Sequence, residues 1–197
     1  MNEIDKSKFV IHKFSILHHP QYKEYNKTKT KYQRIRKNKG EGNHMQTNFD
    51  FLVQTDRFKD FAMQAAEAER SIAISPSTAA ILSRRALELA VRWVYVHDDA
   101  LTMPYRDNIS SLIHEYSFRK LIQPKLFDML KYTIKLGNVA VHTNTNVKHD
   151  AAVLSLRCVF QFCKWIDYCY GENYINRHYD MSLLPDAGKE KKNHRKN

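Results

Sequence analysis

Apolar residues recur at three- and four-residue intervals through most of the chain from Asp56 to Tyr170, the spacing that gives a helix one buried face. In "DRFKDFAMQAAEAERSIAI" the positions so related are Phe58, Phe61, Ala62, Ala65, Ala66 and either Ala68 or Glu69. "SPSTAAILSRRALELAVRWVYVHDD" is the clearest element. Ser75 is placed to cap its N-terminus and Pro76 to occupy its first turn, and Ala79, Leu82, Ala86, Leu87, Ala90, Val91 and Val94 form one stripe. Asn108 is positioned to cap a short helix, "ISSLIHEY", and Pro124 to open another, "PKLFDMLKYTIKL". The last long helix runs over roughly 148–171, carries Ala151, Ala152, Leu154, Leu156, Val159, Phe160, Phe162, Trp165, Ile166 and Tyr170, and stops before Gly171. No alternating strand pattern bounded by turn residues occurs, and there are no internal repeats. The pattern predicts an all-α bundle of four main helices, with one or two short helices across residues 98–123.

Composition refines this picture at the ends of the chain. The 197 residues suffice for one domain plus tails. The net charge of +11 suggests a nucleic-acid binder until it is divided along the sequence. Residues 1–44 hold 11 Lys/Arg against 4 Asp/Glu and residues 186–197 hold 5 against 2, which leaves 16 against 15 for residues 45–185. The expected organisation is therefore a basic disordered segment over 1–44, a nearly neutral helical domain over 45–185 and a basic tail over 186–197. The first segment reads in two further ways, as a basic arm for RNA or DNA, or as sequence upstream of the native start. In the second reading translation begins at Met45, because "KGEGNHM" can be encoded by purine-rich codons resembling a ribosome-binding site.

No apolar run reaches the roughly 20 residues that a membrane span needs, and the N-terminus lacks the apolar core of a secretory signal. A cytoplasmic protein without a membrane partner is expected. Cys158, Cys163 and Cys169 are odd in number, form no CxxC pair and are read as buried thiols rather than disulfides or metal ligands. No phosphate-binding loop, HExxH, GxSxG or zinc-ligand spacing is present, so no cofactor or metal is expected. Asp98-Asp99, after a helix end, reads as a solvated turn.

Two groups of residues carry candidate chemistry. Arg84, Arg85 and Glu88 share the second long helix, where Arg84 and Glu88 are spaced for an ordinary ion pair and Arg85 or Arg92 for a cleft. In "YTIKLGNVAVHTNT", Lys135, Asn138 and His142 fall three and four apart beside the small residues Gly137 and Ala140. An amine, an amide and an imidazole on one face are the inventory of a metal-independent ribonuclease, with an imidazole to move a proton and a cation to stabilise the phosphorane. The same residues suit a helix end, with Gly137 terminating one helix and Asn138 capping the next, or a close helix contact at Gly137.

The segments "SRRALELAVRWVY", "MPYRDNISSLIHE", "IKLGNVAVHT" and "YDMSLLPDAGKEKK", in that order, resemble the N-terminal helical domain of type I restriction enzyme R subunits and related DEAD/DEAH-box restriction helicases. The resemblance covers about residues 47–191. That domain is similar to HEPN domains, small helical bundles that include RNA-cleaving toxins. The resemblance implies a role in DNA restriction and anti-phage defence, with other restriction-system subunits or domains, nucleic acid and a second copy of the chain as candidate partners. It also implies that nuclease and motor domains follow the "LLP" segment in relatives; this chain stops at Asn197, which suggests a truncated or split gene product, an excised domain or an orphan module. HEPN ribonucleases carry an arginine, four to six residues and a histidine. His142 matches that histidine, whereas Lys135 stands where the arginine belongs and lacks the bidentate fork that fits phosphate oxygens. The resemblance thus implies a non-catalytic interaction module whose packing or binding face includes Arg84, Arg85, Glu88, Gly137, Asn138 and His142. The alternative is a dimeric ribonuclease using His142 and Lys135.

Overall fold

The computed structural model describes residues 46–142 and 146–185. The readings of residues 1–44 and of the tail 186–197 lie outside the described residues. Among the described residues seven α-helices follow one another: α1 (Asp50–Val53), α2 (Lys59–Ser71), α3 (Pro76–His97), α4 (Ile109–His114), α5 (Tyr116–Leu121), α6 (Pro124–His142) and α7 (His149–Tyr170). Single 3-10 turns, Asp56–Phe58 and Met181–Leu183, precede α2 and close the described chain. The described residues contain no strand, so the all-α class is confirmed. None of these helices is long and apolar enough to cross a membrane.

The four long helices form the bundle. α3 is its centre and packs against α2, α6 and α7, while α6 also packs on α7. Sequence explains where α3, α4 and α6 begin and where α7 ends. Ser75 Oγ accepts the Thr78 N–H at 3.1 Å and Pro76 fills the first position of α3, where its missing N–H costs nothing. Asn108 Oδ1 accepts the Ser111 N–H at 3.0 Å and starts α4. Pro124 opens α6, and Gly171 ends α7 in extended rather than left-handed backbone. There a β-carbon would strike the carbonyl and carboxylate oxygens of Asp167.

Packing follows the apolar stripes closely. On α2, Phe61, Ala62, Ala65, Ala66 and Ala68 are all buried, and Glu69 is buried with them. On α3 the stripe of Ala79, Ala86, Leu87, Ala90, Val91 and Val94 is buried, with Leu82 partly covered at its margin. α7 is apolar over most of its circumference because α3, α6 and α2 all pack on it, although Leu154 is 44% exposed and does not join the core. Each of the large side chains fully removed from water contributes roughly 1.5–3 kcal/mol, and Phe58, Phe118, Phe160 and Phe162 are among them.

A polar clamp fastens the two ends of the described chain to the bundle. The Glu69 carboxylate, wholly buried, accepts the Asn48 N–H at 2.9 Å, the Asn48 Nδ2–H at 3.0 Å and the Tyr179 hydroxyl at 2.9 Å. Asn48 also holds the backbone of Asp180, accepting its N–H at 2.6 Å and donating to its carbonyl at 3.0 Å. The segment "YDMSLLP" is in this way docked on the start of the domain.

A helix crossing and its flanking groove as the candidate functional site

Gly137 lies inside α6, which runs without interruption from Pro124 to His142. The helix-end reading of Gly137 and Asn138 is therefore corrected: neither terminates nor caps a helix. The glycine serves the approach of α3. A β-carbon at Gly137 would stand 2.5 Å from Arg84 Cβ, 2.8 Å from its Cδ and 3.1 Å from its Cγ. Such distances are far inside carbon–carbon contact, so hydrogen at this position is what lets the Arg84 stem lie across the α6 backbone. The cost of glycine in a helix, about 1 kcal/mol, is offset by the contact it permits. Arg84 Nε is buried there with no hydrogen-bond partner among the described residues.

Glu88 pairs with a different arginine from the one expected. Its carboxylate lies 3.4 Å from Arg92 Nη2, and Arg92 Nη1 reaches Asp107 at 2.9 Å while its Nη2 donates to the Asp107 carbonyl at 2.7 Å. Arg92 thus ties α3 to the loop before α4, because Asp107 lies within reach of the same guanidinium fork. The Asp107 contact also raises the Arg92 pKa. Arg85 is exposed.

Lys135 and Asn138 are both exposed and line one groove of about 520 Å³ between α4 and α6, together with Lys131 and Asp128. His142 is the last residue of α6, is exposed, and is not part of that groove lining. The imidazole that the groove does contain is His114, at the end of α4. Its Nδ1 donates to the Ser110 carbonyl at 2.7 Å, which leaves Nε2 as the nitrogen without that bond, and its ring stands edge-on to Phe127 at 5.2 Å. The groove thus brings Lys135 and Asn138 together with His114, while His142, one turn beyond Asn138 on α6, is not among its lining residues. Helical spacing cannot reveal His114, because it reaches the groove from another helix.

Two buried polar groups also escape a linear reading. Asp98 is 2% exposed, not a solvated turn, and accepts the Tyr170 hydroxyl at 2.6 Å. Burial and the Asp98 carboxylate push the Tyr170 hydroxyl far above its usual range. The Glu69 carboxyl is raised by burial, against the opposing pull of its hydrogen bonds from Asn48 and Tyr179. The three cysteines are buried and free, and burial pushes the Cys158 thiol up to about 11. Among the described residues, no group of three or more His, Cys, Asp and Glu is arranged to hold a metal ion.

The fold and this crossing define a small helical-bundle domain in which one glycine sets the spacing of the two central helices. The chain belongs to the family described as Domain of unknown function (DUF4145), which matches residues 66–182, from the middle of α2 to the final 3-10 turn. Comparison with curated proteins and with solved structures yields no match.

Proposed function

We propose that the chain is a non-catalytic interaction module of the HEPN-like class, working within a DNA-restriction assembly of the type I R-subunit kind. The observation that supports the non-catalytic part is that His142 does not line the groove that holds Lys135 and Asn138. Proton transfer needs a base within hydrogen-bond reach of the scissile group, and the histidine that the resemblance matches to that base is not among the residues that line the groove of its companion cation. The restriction context rests on the four resembling segments. They fall on α3, on α4 and the loop entering it, on the end of α6 and on the docked "YDMSLLP" segment, so they touch the crossing, its flanking groove and the clamp.

A second reading has one observation in its favour. His114 places an imidazole in the Lys135 groove with its Nε2 outside the Ser110 bond, so a metal-independent ribonuclease would use His114 there rather than His142. One experiment separates the two. The full chain, His114→Ala, Lys135→Ala and His142→Ala are incubated with labelled RNA, and the chain is co-expressed with the products of adjacent reading frames. The module reading expects no cleavage by any of the four proteins and co-purification with a motor or modification subunit. Cleavage by the wild type that any one of the substitutions abolishes overturns it.

A further inference from the structure

On a different side of α6, a cleft of about 720 Å³ opens between its first turns, the end of α5 and the outer face of α7, and its lining contains no carboxylate. Four cations line it: Lys120, Lys125, Arg157 and Lys164. None of the four is ion-paired with a carboxylate among the described residues; Lys120 rests on the Tyr116 ring at 4.4 Å. This segregation stands out because residues 45–185 carry 16 Lys/Arg against 15 Asp/Glu, nearly one acid for each base. On α7 the spacing is informative too. Arg157, Gln161, Lys164 and Tyr168 recur at four, three and four residues, so they form one stripe roughly 16 Å long.

Aromatic rings accompany the charges. Tyr168 is 40% exposed and is held by Tyr174 in a T-shaped contact at 5.1 Å and 80°. Trp165 forms part of the same lining, half-buried and stacked on Phe162 at 5.5 Å. Cations that follow a phosphate backbone, interleaved with rings that accept bases, are the two components by which proteins hold single strands.

We propose that this cleft binds single-stranded nucleic acid, with Arg157 and Lys164 on phosphates and Tyr168 stacking on a base. An acidic peptide would use the cations and leave the ring idle. A duplex, whose bases are stacked inside, would do the same. The proposal does not rest on the restriction-module reading, since an RNA-cleavage result that overturned that reading would leave these binding measurements untouched.

The test is fluorescence anisotropy of the full chain with labelled oligodeoxythymidylate and oligouridylate of about 12 nucleotides, at several salt concentrations. The variants are Arg157→Ala/Lys164→Ala, Tyr168→Ala and, as a charge-matched control on other faces, Lys59→Ala/Arg106→Ala. The basic tails are present in every protein and contribute equally. Each phosphate contact on a single strand adds about 0.7 to the salt slope, so the first pair should lower the slope by about 1.4 relative to the control. Tyr168→Ala should weaken single-strand binding at least about fivefold and leave duplex binding unchanged. Equal slopes for the pair and the control overturn the proposal. So does a Tyr168→Ala variant that binds as the wild type does, or displacement of the oligonucleotide by polyglutamate as readily as by unlabelled strand.

Discussion

Gly137 and Arg84 meet so closely that a β-carbon on the glycine would stand 2.5 Å from Cβ of the arginine. Because the struck atom is a Cβ, fixed by the α3 backbone, rotation of the arginine cannot relieve the contact. Gly137→Ala must push α3 from α6, with an overpacking cost of about 1–3 kcal/mol that outweighs the roughly 1 kcal/mol gain in helix propensity. The expected result is a net loss on the order of 1 kcal/mol in urea unfolding. Arg84→Ala should not rescue it, since that residue keeps its Cβ, whereas Arg84→Gly should show favourable coupling with Gly137→Ala in a double-mutant cycle. Rescue by Arg84→Ala would show that the crossing is set elsewhere.

The elements were legible because each rests on a local signal. Ser75-Pro76, Asn108 and Pro124 mark helix starts through backbone chemistry that needs no partner, and the alanine and valine stripes mark the faces that pack. Gly137 as a point of close approach was legible for the same reason, since a small residue in a helix has few other uses. What crosses between helices was not. Glu88 has an arginine four residues away on either side, Arg84 and Arg92, and only the position of Asp107 decides in favour of Arg92. Asp98 and Tyr170 lie 72 residues apart, and Asn48 and Asp180 are 132 apart, distances over which no periodicity speaks. The shared helical face of Lys135, Asn138 and His142 is real as spacing, yet the groove ends before His142 because α4 supplies its opposite wall.

Tyr170→Phe removes one oxygen and leaves the ring, which stands edge-on to Trp93 at 5.4 Å and to Trp165 at 5.9 Å, in place. The loss is the hydroxyl's bond to the buried Asp98 carboxylate at 2.6 Å. Hydrogen bonds to charged groups contribute about 1.5–3 kcal/mol, so destabilisation of that size is expected with an unchanged denaturant slope. A variant as stable as the wild type would mean that Asp98 is solvated in solution.

The cysteines should be silent toward thiol reagents in the native state. Cys158, Cys163 and Cys169 are all buried, and burial raises the Cys158 thiol to about 11 and the Cys163 thiol further, so little thiolate exists near neutral pH. Ellman's reagent should release colour only as fast as the protein unfolds, and then for three thiols per chain. A rapid native reaction of any one of them would refute the packing of α7 against its neighbours.

The Glu69 clamp makes a prediction about pH whose sign is fixed by burial. Its carboxyl is raised from the ordinary 4.5, chiefly because the wholly buried charge has lost its water. Between 4.5 and the raised folded value, the folded chain binds a proton at Glu69 that the unfolded chain has released. Stability from this group is therefore fully present below the unfolded pKa and declines as pH rises through the folded one, by at most about 1.4 kcal/mol per pH unit. Glu69→Gln keeps the shape and removes the titration. The stability of the wild type minus that of the variant should fall as pH is raised from about 4.5 into the neutral range. Asp167, also raised by burial, is common to both proteins and cancels in the difference. A difference that rises with pH would mean that the Asn48 and Tyr179 hydrogen bonds, which favour the charged carboxylate, outweigh its desolvation.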